Sequence, residues 1–302
     1  MNAGQATGAA GAAKNADAVI SVDAVWKSFG GQAVLRGVTL AVKRGETVAI
    51  LGRSGTGKSV LLKTIVALLD PDRGSIRVEG SDLIALDEHG RLEARKRIGY
   101  VFQGSALFDS LSVADNVGFP LLQARVSPAQ VRERVLAKLD LVGLSAAADK
   151  YPAELSGGMQ KRVGLARALI SDPAVVLYDE PTTGLDPLTT DVINRIVLRL
   201  QRRLNATALV VTHDVASAFT IADRVAILEN GVFVAQGTPD EIRAHADPWV
   251  QRFIAIGSER GHLSGSHTGL FPQPIVKPDT PKAESARLTA LKADSDAGSE
   301  PG

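Results

Sequence analysis

Gly52-Arg53-Ser54-Gly55-Thr56-Gly57-Lys58-Ser59 fits the pattern G-x-x-x-x-G-K-[ST] at every fixed position. The chemistry implied is the binding of a nucleotide phosphate. Three glycines let the chain curl so that successive backbone N–H groups point inward, while Lys58 adds a mobile cation for the β and γ phosphates. Ser59 supplies a hydroxyl that can ligate magnesium. A second set of candidates is acidic: Asp179 and Glu180 close the apolar run Ala174-Val175-Val176-Leu177-Tyr178. There, Asp179 can hold magnesium through water and Glu180 can orient or deprotonate an attacking water. Gln103 and His213 each follow an apolar run of their own, Ile98 to Phe102 and Ala208 to Thr212. Alone, neither is telling: a glutamine at a loop start is usually unremarkable unless it reaches the metal or its water, and a lone histidine is usually structural. Three polar strand ends converging on one sheet edge are what a nucleotide site requires.

Two further stretches bear on such a site. In Leu155-Ser156-Gly157-Gly158-Met159-Gln160, Ser156 is a good N-cap, and Gly157 and Gly158 open the first helical turn with no side chains. That leaves backbone N–H groups accessible to an anion, although a plain capped helix start is the alternative. Phe29, with Trp26, precedes Gly30-Gly31; its ring either stacks on a base or joins the core, and spacing does not choose.

The elements that must position these residues are legible in outline. Thr47 to Leu51 reads as a buried strand leading into the loop, and Val60 to Leu69 as a helix whose N-terminus faces the anion. Val19 to Val22 and Val38 to Val42 alternate like strands, and Ser75 to Val78 follows a turn at Pro71 to Gly74. From Ser112 to Arg167 the pattern turns helical, with Val131, Val135, Leu139 and Val142 recurring on one face. The basic run Arg91 to Arg97 reads as a solvated helical face. Asp186 and Pro187 suit the N-cap and first position of a helix, whose expected apolar stripe is Leu188, Val192, Ile196 and Leu200. Asn230-Gly231 is a hairpin signature between Arg224 to Leu228 and Val232 to Ala235, and Pro239 to His245 and Asp247 to Ile256 look helical. Residues 1–17 have little to bury and read as a disordered lead-in, and 257–302 as a mobile tail with Leu270-Phe271 as a candidate docking spot.

Composition removes other classes. The 302 residues are 45% hydrophobic, enough for one large or two modest domains. Lys and Arg number 34 against 33 Asp and Glu, so no global field recruits nucleic acid. Zero cysteines excludes disulfides, thiolate nucleophiles and Cys-bound zinc. No apolar run reaches the ~18 residues a bilayer span needs, and the N-terminus lacks the plan of a signal peptide, so any membrane connection runs through a partner.

Together these stretches resemble the ATP-binding subunits of ABC transporters over residues 18–256. Residues 52–59 match the Walker A motif, Gln103 the Q-loop, Leu155 to Gln160 the signature motif, Val175 to Glu180 Walker B, Gly184-Leu185-Asp186 the D-loop and His213 the switch histidine. Phe29 stands where the family often has Tyr, and Gly184 where it often has Ala. The resemblance implies an α/β P-loop NTPase (RecA-like) core, an antiparallel β region and an inserted α-helical signature subdomain at about 104–168. It implies ATP and magnesium, the metal on Ser59, Gln103 and Asp179. It gives Glu180 the role of base and has His213 brace the γ-phosphate, with Lys58 and Gln103 completing the catalytic set. The nucleotide falls to Phe29, to the loop 52–59 and to Ser156, Gly157, Gly158 and Asp186. Because the chain carries one copy of each motif, the expectation is a homodimer whose signature residues contact ATP on the other copy's loop. It would sit peripherally on the cytoplasmic face of the inner membrane, bound to integral membrane permease subunits. Gly57 to Lys63, Gly104 to Leu111 and Asp179 to Pro187 look like the MCE-linked (Mla/Ttg2-type) phospholipid and toluene-tolerance ATPases, which implies a periplasmic MCE-type lipid-binding partner. In that setting Leu107 and Phe108 either receive a membrane subunit or fill the helical core. An amino-acid or small-solute importer is the alternative. A soluble ABC ATPase acting on nucleic acid or ribosomes would show paired nucleotide domains or a long heptad insertion, and the sequence has neither.

Overall fold

The computed structural model describes residues 18–204 and 206–260. The expected lead-in 1–17, and the stretch 261–302 with Leu270-Phe271, lie outside them. Two sheets form the core. The first is antiparallel, in the order β2-β1-β4-β5, from β1 (Ala18–Phe29), β2 (Gln32–Lys43), β4 (Arg73–Val78) and the two-residue β5 (Ser81–Asp82). The second has the order β10-β9-β3-β8-β7-β6. Its strands β3 (Thr47–Leu51), β6 (Ile98–Val101), β7 (Val175–Asp179), β8 (Thr207–Thr212) and β9 (Arg224–Glu229) run parallel, and β10 (Val232–Gly237) closes it antiparallel to β9.

Every residue of β3, β7 and β8 is buried, as expected of parallel strands covered on both faces. Alternation then splits each strand between two cores. Val48 and Ile50 face a core shared with the antiparallel sheet and helix α1 (Lys58–Ile65), whereas Ala49 and Leu51 face the C-terminal helices. Val176 and Tyr178 of β7 join a third core made with the helical region. That region holds α3 (Val113–Gln123), α4 (Pro128–Leu141) and α5 (Gly157–Ala168), following α2 (Glu88–Arg95) and β6. Val131, Val135, Leu139 and Val142 are all buried there, as their spacing predicts. The remaining α-helices among the described residues are α6 (Pro187–Leu204), α7 (Val215–Ile221), α8 (Pro239–Arg243) and α9 (Pro248–Arg260).

Four expectations change. Helix α1 stops at Ile65, not Leu69, because Ala67 takes a left-handed φ of 53°. The guanidinium of Arg95 donates to the carbonyls of Val66 (3.0 Å) and Ala67 (2.5 Å) beyond that end. Thus the basic run is not simply a solvated face: Arg91 likewise donates to the carbonyls of Leu86 and Ile84. On α6 the buried face is Ile193, Ile196, Val197 and Leu200, while Leu188 is 82% exposed and Val192 lies outside that face too. Finally α9 runs to Arg260, four residues past the boundary expected at 256.

Candidate nucleotide site

The register of the parallel sheet brings the candidates to one edge. Leu51 pairs with Thr212, Asp179 with Val211 and Val101 with Tyr178, so Gly52, His213, Glu180 and Gln103 all follow strand ends at the same side. The loop from Gly52 to Gly57 needs its glycines for stated reasons. A Cβ on Gly52 would sit 2.5 Å from the Leu228 carbonyl oxygen, and Gly57 has a φ of 103°, a region that disfavours side chains. The Arg53 carbonyl accepts from Thr56 Oγ1 at 2.9 Å, closing the turn. Ser54 and Gly55 lie at its exposed tip.

Lys58 is buried and donates to the carbonyls of Gly52 (2.8 Å) and Arg53 (3.1 Å), and its Nζ lies 3.4 Å from Glu180 Oε1. The other Glu180 oxygen, Oε2, lies 2.8 Å from His213 Nδ1 and accepts from Thr183 Oγ1 at 3.0 Å. Glu180 itself has a φ of 51°, a strained conformation for a non-glycine residue, held by its N–H donating to the Val211 carbonyl at 2.9 Å. Burial works to raise its carboxyl, but the hydrogen bond from His213, that residue's charge and the charge of Lys58 outweigh it and hold the group below the usual carboxylate range. The same hydrogen bond raises His213 above its ordinary 6.5 against the opposing effect of burial.

Asp179 is buried, and its two oxygens are both engaged: Ser59 Oγ donates to Oδ1 at 2.8 Å and the Tyr100 hydroxyl to Oδ2 at 3.1 Å. A hydroxyl and a carboxylate, both hard oxygen donors and in contact, fit a small divalent cation that keeps waters and takes phosphate oxygens. Gln103 is exposed two residues past β6, and among the described residues no hydrogen bond ties it to the Ser59–Asp179 pair.

Phe29 is 46% exposed, with Lys27 Nζ 5.5 Å above its ring, which removes the core alternative. Ser156 caps α5, accepting from the Met159 N–H at 3.3 Å. Gly157 has open space around it, while a Cβ on Gly158 would meet Thr189 Cγ2 at 2.4 Å. Gly158 therefore has a packing reason to be glycine in addition to anion access. Asp186 accepts from the N–H groups of Leu188 and Thr189, each at 3.0 Å, as an N-cap should. The pair Leu107 and Phe108 splits: Leu107 packs on the helical core, and Phe108 is 44% exposed, its ring 4.8 Å from that of Phe119. Tyr100 and Thr183, which touch the acidic pair, are not marked by any spacing. A buried hydroxyl's need for a partner is the one signal that points to Tyr100.

The ABC transporter family profile matches residues 35–183. A probable ribonucleotide transport ATP-binding protein, mkl, of Mycobacterium leprae is 39% identical over 303 residues, covering 90% of this chain and 87% of the relative. The chain belongs to the ABC transporter ATP-binding family. Like that family, it couples ATP hydrolysis to transport. The methionine import ATP-binding protein MetN 2 of Burkholderia mallei is 45% identical over 224 residues, which cover 73% of this chain and 57% of that protein. The post-hydrolysis dimer of the ATP-binding cassette MJ0796, bound to ADP and Pi, superposes with a TM-score of 0.68 at 33% identity, over 73% of this chain and 98% of that one. CbiO1 from Clostridium perfringens, part of the transporter complex cbiONQ, superposes with a TM-score of 0.71 at 32% identity, over 82% of this chain and 98% of that one. No helix among the described residues is long and apolar enough to cross a membrane.

Proposed function

We propose that this chain works as a homodimer in which each ATP lies between the loop 52–59 of one copy and Ser156 to Gly158 of the other. The observation that supports the catalytic reading best is the Glu180 carboxylate, held between Lys58 (3.4 Å) and His213 (2.8 Å) at the edge where the phosphate loop opens. In turnover Lys58 exchanges the carbonyls of Gly52 and Arg53 for phosphate oxygens, Glu180 accepts the proton of the attacking water, and His213 turns to the γ-phosphate. Ser59 and Asp179, with Gln103 brought in from its exposed loop, would hold magnesium, and the ion would supply positive charge against the phosphates. Phe29 stacks on the base, and Asp186 anchors the loop facing the second copy. Glu180→Gln should bind ATP and accumulate as a closed dimer without turnover; full hydrolysis by it removes Glu180 from the role of base.

The dimer acts peripherally on the cytoplasmic face of the inner membrane, and the exposed Phe108 beside Gln103 suits the surface that receives an integral membrane subunit. For cargo we infer a phospholipid moved across the envelope with a periplasmic MCE-type partner, on the likeness of residues 57–63, 104–111 and 179–187 to the Mla/Ttg2-type ATPases. The 45% identity to the methionine importer's ATPase favours small-solute import as the second reading. Purifying the native complex from detergent-solubilised membranes separates them. Bound phospholipid supports the first, whereas a solute-binding protein with no lipid supports the second.

A further inference from the structure

Helix α5 begins with the residues that face the other copy, yet it also grips the catalytic segment of its own copy. Lys161 lies one turn in from Gly157. Its half-buried stem helps line a small apolar pocket with Val101, Tyr178, Pro181 and Val197, and its ammonium emerges to donate to the Thr183 carbonyl at 2.5 Å. Thr183 in turn donates its hydroxyl to Glu180 Oε2 at 3.0 Å. Three residues earlier on the helix, Gly158 packs against Thr189, so α5 meets the segment 180–189 at two separate points. Passing a lysine stem through an apolar pocket to place its charge on one carbonyl is a costly arrangement, and it is stable only with that partner in place. The ammonium also senses the carboxylate: burial lowers its pKa while the charge of Glu180 raises it.

We propose that Lys161 is a positioning residue for hydrolysis, fixing Thr183 so that its hydroxyl aims the Glu180 carboxylate and tying that carboxylate to the signature helix of the same subunit. The inference rests on the reading of Glu180 as the base. A shift of α5 against the sheet then moves the Thr183 loop directly, and a misplacement of about 1 Å at a catalytic group can cost on the order of a hundredfold in rate.

The test is steady-state hydrolysis by the full chain, with ATP affinity from a fluorescent nucleotide and melting temperature measured alongside. Lys161→Met keeps the stem and loses the donor; Thr183→Val keeps the shape and loses the hydroxyl, probing the same link should the first variant fold poorly. Each is expected to lower kcat by about tenfold with ATP affinity within about twofold, and the double variant to be no slower than the slower single one, because both remove one path. Wild-type kcat in either single variant, a loss confined to ATP affinity or melting temperature, or a double variant slower by the product of the two overturns the proposal. Glu180→Gln in the same assay separates the premise. If it hydrolyses normally the base assignment falls and this inference with it; if it is inactive while Lys161→Met is normal, this inference alone falls.

Discussion

Glu180 carries more constraints than any other side chain of the site, since two cations, a hydroxyl and a strained backbone converge on it. Its ion pair with His213 has a pH window whose edges follow from the signs. His213 is raised above 6.5, so its contribution is present below that value and is lost as pH climbs through the folded-state pKa. Glu180 is lowered below 4.5, so its contribution is present above 4.5 and is lost as pH falls through its own folded-state value. The pair is whole between those two pH values and loosens on either side. NMR titration of the His213 imidazole should give a pKa above 6.5, and Glu180→Gln should bring it down by removing the hydrogen bond that raises it. An imidazole that titrates at or below 6.5 in both proteins means that the contact does not persist in solution. With His213 half exposed beside the buried Glu180, water screens the pair, and it adds little to global stability. Its consequence is chemical, because Glu180 is a poor base while it holds a protonated His213.

The contact between α5 and α6 joins the signature residues to the Asp186 loop through one glycine. Thr189 is β-branched, and its hydroxyl donates to Asp186 Oδ2 at 2.5 Å, so its methyl cannot swing aside without breaking that bond. Gly158→Ala should therefore lower the melting temperature even though alanine favours helix by about 1 kcal/mol. Adding Thr189→Ser, which deletes only the methyl, should restore or exceed the wild-type value. A single variant that melts no lower than wild type would show that the two helix starts are not in contact. Sequence gave no hint of this pair, because the site residues were legible where chemistry forces a residue type: the loop 52–59, the acids ending β7 and the Asp186-Pro187 cap. It misplaced what depends on packing direction. Leu188 and Val192 fall on the same 3.6-residue repeat as Ile196 and Leu200, but α6 enters the core one turn later and rotated toward Ile193 and Val197. Likewise Arg91 and Arg95 look like surface charge until the carbonyls they serve, contributed from across the fold or from the preceding turn, are in view.

For the molecule as a whole, the decisive question is whether a site is built by one chain or two. Within the chain, Ser156 bonds to Met159 and Gly158 packs on Thr189, and among the described residues neither makes a hydrogen bond to the loop 52–59. If each ATP is bound between copies, lesions in the two half-sites should complement in a way that a single-chain site forbids. Lys58→Ala damages the loop half, and Ser156→Arg blocks the signature half with bulk and charge. Either homodimer has both sites damaged. In a mixed dimer, isolated with two different affinity tags, both lesions fall on the same site, and the second site combines an intact loop with an intact signature. Such a dimer should trap about one nucleotide in the presence of magnesium, where either homodimer traps almost none. Sites contained within single chains would leave the mixed dimer as empty as its parents, because one chain would lack Lys58 and the other an open Ser156. Counting bound nucleotide instead of turnover keeps the result readable even when hydrolysis needs both sites filled.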